Sequence, residues 1–123
     1  MLGLLIRSPW IEYILDGKKT WEIRSRKTNI RGRIALIRSK SGLVVGEATL
    51  AGCILLDQDT YEKSSDLHMV PRDEIDGLPY FKTYAWVLED PLAYPEPIKY
   101  EHPSGAVVWV DLDKCQTGKG SNQ

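Results

Sequence analysis

The spacing of apolar and polar positions changes several times along the chain. Leu2 to Arg7 is short and mostly apolar, which predicts a strand. Trp10, Ile11, Ile14 and Leu15 then fall at helical spacing. Ser8 suits an N-cap ahead of them, and Pro9 suits the first helical position, where no backbone hydrogen bond is lost. Asp16-Gly17 closes this helix, with Gly17 expected in the left-handed region. So short a helix must draw its stability from packing against a sheet. From Thr20 to Arg24 the period becomes two. Thr20, Glu22 and Arg24 share one face, and Trp21 and Ile23 share the other. The apolar pair is expected to face the core, and the polar trio to face solvent or a polar pocket.

Further along, Arg33 to Arg38 reads as a strand, and Ser39-Lys40-Ser41-Gly42 as a hairpin turn. Leu43 to Leu56 is a β-type run too long for one flat strand. Gly46 and Gly52 divide it and predict bulges or corners. Asp57 to Gly77 is charged, with a short helix expected from Asp59 to Leu67 and a second over Pro71 to Ile75. Tyr84 to Leu88 is the next strand. Pro91, Pro95 and Pro97 make the following stretch extended or a sheet edge. Ala106 to Leu112 is the last strand. The reading is one α+β domain over residues 1–114, a small β-barrel of about six strands with two or three short helices. A flexible, polar tail follows at 115–123.

Composition narrows the functional class. With 123 residues and 42% hydrophobic content, the chain suits one domain with a real core. Cys53 and Cys115 form no C-x-x-C or Cys/His cluster, so no metal site is expected. His68 and His102 read as ordinary surface or turn histidines. No apolar stretch reaches the length of a membrane span, and the first strand lacks the basic start of a signal peptide. A cytoplasmic location follows as the default expectation. Charge adds an asymmetry: residues 1–40 hold ten Lys/Arg against three Asp/Glu, and residues 41–123 hold six against fourteen. A basic first third can steer an anion to one face.

The segment Gly17-Lys18-Lys19-Thr20-Trp21-Glu22-Ile23-Arg24 resembles the ASCH family signature G-x-K-x-x-E-x-R at all four fixed positions. The Ser8-Pro9-Trp10 entry to the helix, the Gly-containing strand pair after the motif, the Tyr84–Leu88 strand, and Gly105 near Trp109 resemble the family in the same order. The resemblance covers roughly residues 2–112. It implies a PUA-like β-barrel with a cleft beside the signature, and RNA or a nucleotide as partner, with no cofactor. It names no protein partner. Some small members are similar to amidohydrolases that deacylate N4-acetylcytidine, and others are described as ribonucleases. The acetylcytidine-cleaving members carry a threonine nucleophile where this chain has Glu22, whereas Lys19 matches their lysine. They also need a later carboxylate, for which Glu62, Asp66 and Glu74 are candidates here.

The motif residues carry chemistry in their own right. A partly desolvated Lys19 beside a carboxylate serves as a base or an anion anchor. Glu22 accepts from an exocyclic amine such as that of cytosine. Arg24 holds Glu22 ionised and binds a phosphate or a base edge. Thr20, two residues from Glu22 on the same predicted face, is the substitute nucleophile, giving a catalytic set of Lys19, Glu22 and Thr20. Arg7 and Lys18 are further ligand-binding candidates, and Arg26, Lys27, Arg31, Arg33, Arg38 and Lys40 are candidates for a phosphate path leading from the cleft. Trp10, at the helix start beside Arg7, is the candidate for stacking on a base. Two functions are thus expected in competition: a module binding RNA or a nucleotide, and a small hydrolase acting on a modified nucleoside or on RNA.

Overall fold

A computed structural model describes residues 1–71 and 77–117. The strands are β1 (Leu2–Ile6), β2 (Trp21–Arg24), β3 (Gly32–Arg38), β4 (Leu43–Leu56), β5 (Thr83–Lys99) and β6 (Trp109–Asp111). The helices are α1 (Trp10–Leu15), α2 (Gln58–Lys63) and α3 (Ser65–His68), and a 3₁₀ turn at Leu112–Lys114 follows β6. The helix expected over Pro71 to Ile75 lies outside the described residues from position 72 onward, as do residues 118–123 of the tail.

The strands form one mixed sheet in the order β2-β5-β4-β3-β1-β6. All neighbours run antiparallel except β1 and β3, which are parallel. This is the expected α+β class with about six strands, but the sheet is not the closed barrel the resemblance implied. β2 and β6 have four and three residues and stand at the two ends of the order. The sheet curls without completing its ladder, and side chains span the gap. Trp86 of β5 stacks on Trp109 of β6 with centroids 5.7 Å apart, and Arg24 of β2 donates to the Leu5 carbonyl of β1 at 2.7 Å.

The glycine-divided run is one strand, β4, whose register against β5 shifts at Val44/Gly46, Glu47/Thr49 and Leu50/Gly52. The proline-rich stretch is not a separate connection; it is the second half of β5. Pro91, Pro95 and Pro97 fall between the residues that pair with β4, so their missing N–H groups cost no ladder bond. Asp90, at φ 50°, helps turn the strand there. The last strand is shorter than expected: it begins only at Trp109, and at its other end Leu112 to Lys114 winds into the 3₁₀ turn.

Helix α1 buries Ile11 and Ile14 among Leu4, Ile34, Leu36 and Trp86. Ser8 is not its cap. Pro9 holds that position, and the Ser8 hydroxyl donates to the Glu12 carboxylate at 3.0 Å. Gly17 ends the turn at φ 85°, as the sequence predicts. The Lys19 N–H then donates back to the Tyr13 carbonyl, and the chain enters β2. Leu15 sits directly over Gly46, so helix and sheet meet where β4 carries no side chain.

Candidate functional site

The end of α1 and the strand that follows it place the motif. Trp21 and Ile23 turn toward the small cluster of Leu56, Tyr61 and Ala85. Glu22 and Arg24 turn the other way, into a cavity of about 490 Å³ that Lys19 also lines. Lys19 is 2% exposed and Glu22 6% exposed, so two opposite charges sit away from water. Burial of this kind is tolerated only where the charges are paired and bonded. The Arg24 Nε donates to Glu22 Oε2 at 2.9 Å, and the Lys19 Nζ stands 3.8 Å from Glu22 Oε1. The Lys19 ammonium also donates to the main-chain carbonyl of His68 and lies 5.1 Å from the Trp10 ring centroid. The Arg24 guanidinium rests 5.4 Å from the Trp86 ring centroid.

Electrostatics follow from this packing. Desolvation lowers the Lys19 pKa to about 8, the Glu22 carboxylate opposes that shift, and Arg24 reinforces it. Glu22 Oε2 is taken by Arg24. Oε1 makes no hydrogen bond among the described residues, since 3.8 Å to Lys19 is ion-pair range. The free oxygen of this largely buried carboxylate thus remains open to the cavity and ready to accept from a ligand, with Lys19 and Arg24 on either side of the carboxylate. Arg7, Trp10, Ser39, Lys40 and Tyr80 are among the other residues around the opening. Among the described residues the cavity therefore presents four cationic side chains, Arg7, Lys19, Arg24 and Lys40, against one carboxylate.

A family model for the ASCH domain matches residues 4–115. The chain belongs to the ASCH domain family. Crystal structures of the ASCH protein from Zymomonas mobilis have a similar fold. One mutant form is 22% identical with a TM-score of 0.66, over 80% of this chain and 74% of that one. The unsubstituted protein is 21% identical with a TM-score of 0.62, over 75% of this chain and 68% of that one. No curated protein matches this chain.

Within this ASCH domain the predicted site residues divide. Lys19, Glu22, Arg24, Arg7, Trp10 and Lys40 share the cavity. Thr20 does not. It precedes the first residue of β2, its main chain bonds to Leu67 and Leu88, and it lines a different hollow with Val87 and Leu88. The period-two face ends at Trp21, so Thr20 does not share the side of Glu22. The phosphate path is also broken up. Lys18 pairs with Asp16 at 3.8 Å, Arg33 with Glu47 at 2.8 Å and Arg38 with Glu12 at 2.9 Å. Arg31 donates to the carbonyls of Thr28 and Ile30. Arg26 and Lys27 are exposed outside the cavity, although the Arg26 carbonyl accepts from the Trp86 indole at 2.8 Å. Glu62 and Asp66 are exposed on the α2–α3 segment and do not line the cavity, and Glu74 lies outside the described residues.

His68 is the residue that sequence reasoning missed. It is no surface histidine: it is 2% exposed and stacks on Tyr61 with centroids 4.2 Å apart. Its Nε2–H donates to the Tyr61 carbonyl at 2.8 Å, and its Nδ1 accepts from the Val70 N–H at 3.0 Å. The bond from Val70 requires the neutral ring, since a protonated Nδ1 could not accept it, and burial lowers the His68 pKa. The locked ring fixes the backbone whose carbonyl receives Lys19. A lone histidine in a polar stretch carries no local signal of that role. Among the described residues no group of His, Cys, Asp and Glu is arranged to hold a metal ion, and no helix is long and apolar enough to cross a membrane.

Proposed function

We propose that this ASCH domain binds RNA or a nucleotide, seating a base in the cavity of Lys19, Glu22 and Arg24. The observation that carries the reading is Glu22 Oε1: the unbonded oxygen of an otherwise buried carboxylate, open to the cavity and flanked by Lys19 and Arg24. Such an acceptor suits the exocyclic amine of cytosine or adenine and disfavours uracil, which offers a carbonyl there. Trp10 provides a ring face beside the opening. Arg7 and Lys40, which make no ion pair among the described residues, are available for phosphate. Calorimetric titration with cytidine and uridine tests the reading. Cytidine is expected to bind about tenfold more tightly than uridine, and Glu22→Gln to abolish that difference, as loss of one good base contact would. Absence of saturable binding by any ribonucleotide or short single-stranded RNA would overturn it.

Hydrolysis is the second reading, and one observation favours it: burial brings the Lys19 pKa to about 8, so a fraction of the amine is neutral near physiological pH. With Thr20 outside the cavity, water is the nucleophile in this reading, and Lys19 or Glu22 takes its proton. Acetate release from N4-acetylcytidine, present in the wild type and lost in Lys19→Met, would support it. No release from the wild type would leave binding as the function.

A further inference from the structure

A second hollow adjoins the site. It has a volume of about 430 Å³ and lies beyond a ridge of Leu5, Ser39, Lys40 and Val107 that lines both cavities. Its own walls are Gly42, Tyr100, His102 and Ala106. The ridge belongs partly to the β3–β4 turn, where Lys40 at φ 65° and Gly42 at φ 70° bend the chain sharply. Lys40 is exposed and makes no ion pair among the described residues, and it is the ridge's single charged side chain. Beside it Val107 stands 79% exposed, an apolar surface with nothing packed over it.

Beyond the ridge the chemistry changes. The His102 Nε2–H donates to the Ala106 carbonyl at 2.9 Å, and its Nδ1 is hydrogen-bonded to the Tyr100 hydroxyl at 2.8 Å, so both ring nitrogens are fixed in place. The second hollow therefore has an aromatic residue, an imidazole and apolar walls, and among the described residues its own walls carry no Lys, Arg, Asp or Glu. Two hollows on either side of a single cation match two uncharged rings joined by one anionic link.

We propose that the second hollow takes the flanking base of a ligand at least two nucleotides long, with the connecting phosphodiester on Lys40. The proposal rests on the nucleotide-binding reading of the first cavity and extends it from a single base to a dinucleotide step. Binding of the second ring adds the stacking and burial that a mononucleotide cannot reach.

The experiment compares four probes by calorimetry: cytidine, its 3′- and 5′-monophosphates, and the dinucleotide CpC. CpC is expected to bind at least tenfold more tightly than either monophosphate. Ala106→Phe, which fills the second hollow, should bring CpC to within twofold of the better monophosphate and leave cytidine as in the wild type. Should Ala106→Phe fail to fold, as judged by its thermal melt, His102→Ala on the exposed rim is expected to cost CpC severalfold and cytidine nothing. Equal affinity for CpC and the monophosphates would overturn the second hollow while leaving the first cavity intact, as would CpC binding untouched by both variants. Failure of the wild type to bind any of the four would overturn both readings together.

Discussion

The guanidinium of Arg24 donates to the main-chain carbonyl of Leu5 at 2.7 Å, joining the strand at one end of the sheet to the strand next to the other end. The Leu5 N–H is spent on Val108, so Arg24 satisfies the other half of that residue's backbone. The same guanidinium holds Glu22 and covers Trp86. One side chain thus ties the curl of the sheet to the charge state of the cavity.

Arg24→Ala is therefore expected to be costly. It strips a buried carboxylate of its nearest cation and leaves the Leu5 carbonyl unmet, a loss of about 3 kcal/mol. Urea unfolding measures it. The double variant Glu22→Gln, Arg24→Ala should recover part of the loss, since the uncompensated charge is then gone.

Lys19 predicts a pH dependence at the alkaline side. Its pKa is about 8 in the folded chain against 10.5 when unfolded, so between those values the unfolded chain binds the extra proton. Below pH 8 both states are protonated and the cost of burying the charge is fully present. Stability should rise from pH 8 toward 10.5 relative to Lys19→Met, which lacks the group. Urea midpoints of the two proteins at pH 7.5, 9 and 10 give the difference, and parallel curves would contradict the burial of a charged Lys19.

His68 predicts the opposite flank. Burial lowers its pKa below 6.5, so as pH falls through 6.5 the unfolded chain takes up a proton that the folded chain refuses. Stability is unaffected by this group above 6.5 and is lost progressively below it. His68→Phe, which keeps the ring stacked on Tyr61 but cannot titrate, should flatten the fall in melting temperature between pH 7 and 5 while lowering stability at pH 7 through its two lost hydrogen bonds.

Two glycines of β4 make a matched test of packing. A Cβ on Gly46 would collide with the Leu92 carbonyl oxygen and lie 2.6 Å from Leu15 Cδ2, whereas one on Gly52 would meet only Val87 at ordinary contact distance. Gly46→Ala should cost about 2 kcal/mol, in the range of overpacked cores, and Gly52→Ala close to nothing. Denaturant midpoints of the two variants compare them directly.

Binding should also weaken with salt. Arg7 and Lys40 are the cations at the opening with no carboxylate partner among the described residues, so phosphate bound there releases counterions. Affinity for a short RNA is expected to fall about three- to tenfold between 50 and 200 mM salt, a slope for two contacts, and Lys40→Met should make it shallower. The slope is modest because Arg33 and Arg38, which swell the basic count of the first forty residues, spend their charge on Glu47 and Glu12.

Local order was the legible part of the site. The period-two strand, the left-handed Gly17 and the bulge-forming Gly46 all act within a few residues, so their spacing carries the information. The pairing of Lys19 and Arg24 with Glu22 was legible, but their main-chain partners were not, because His68 and Leu5 meet them only once the sheet has curled. Thr20 shows the limit of periodicity at a boundary: alternation holds inside a strand, and Thr20 stands one residue before it begins. Barrel closure failed as an expectation for a related reason. It depends on the lengths of β2 and β6, and strand ends are set by competing structure, such as the 3₁₀ turn that takes over at Leu112.

β4 and β5 pair as far as Leu56 and Thr83, so the two strands meet like an ordinary hairpin whose ends enclose residues 57–82. Shortening that excursion to a tight turn would leave every rung between the strands in place. It would also remove His68, and with it the carbonyl that receives the Lys19 ammonium. The strand pairing and the anchor of Lys19 are thus encoded in separable lengths of chain. A homologue trimmed between these strands would keep the architecture and lose the anchor, so likeness of fold alone says nothing of whether the lysine is held.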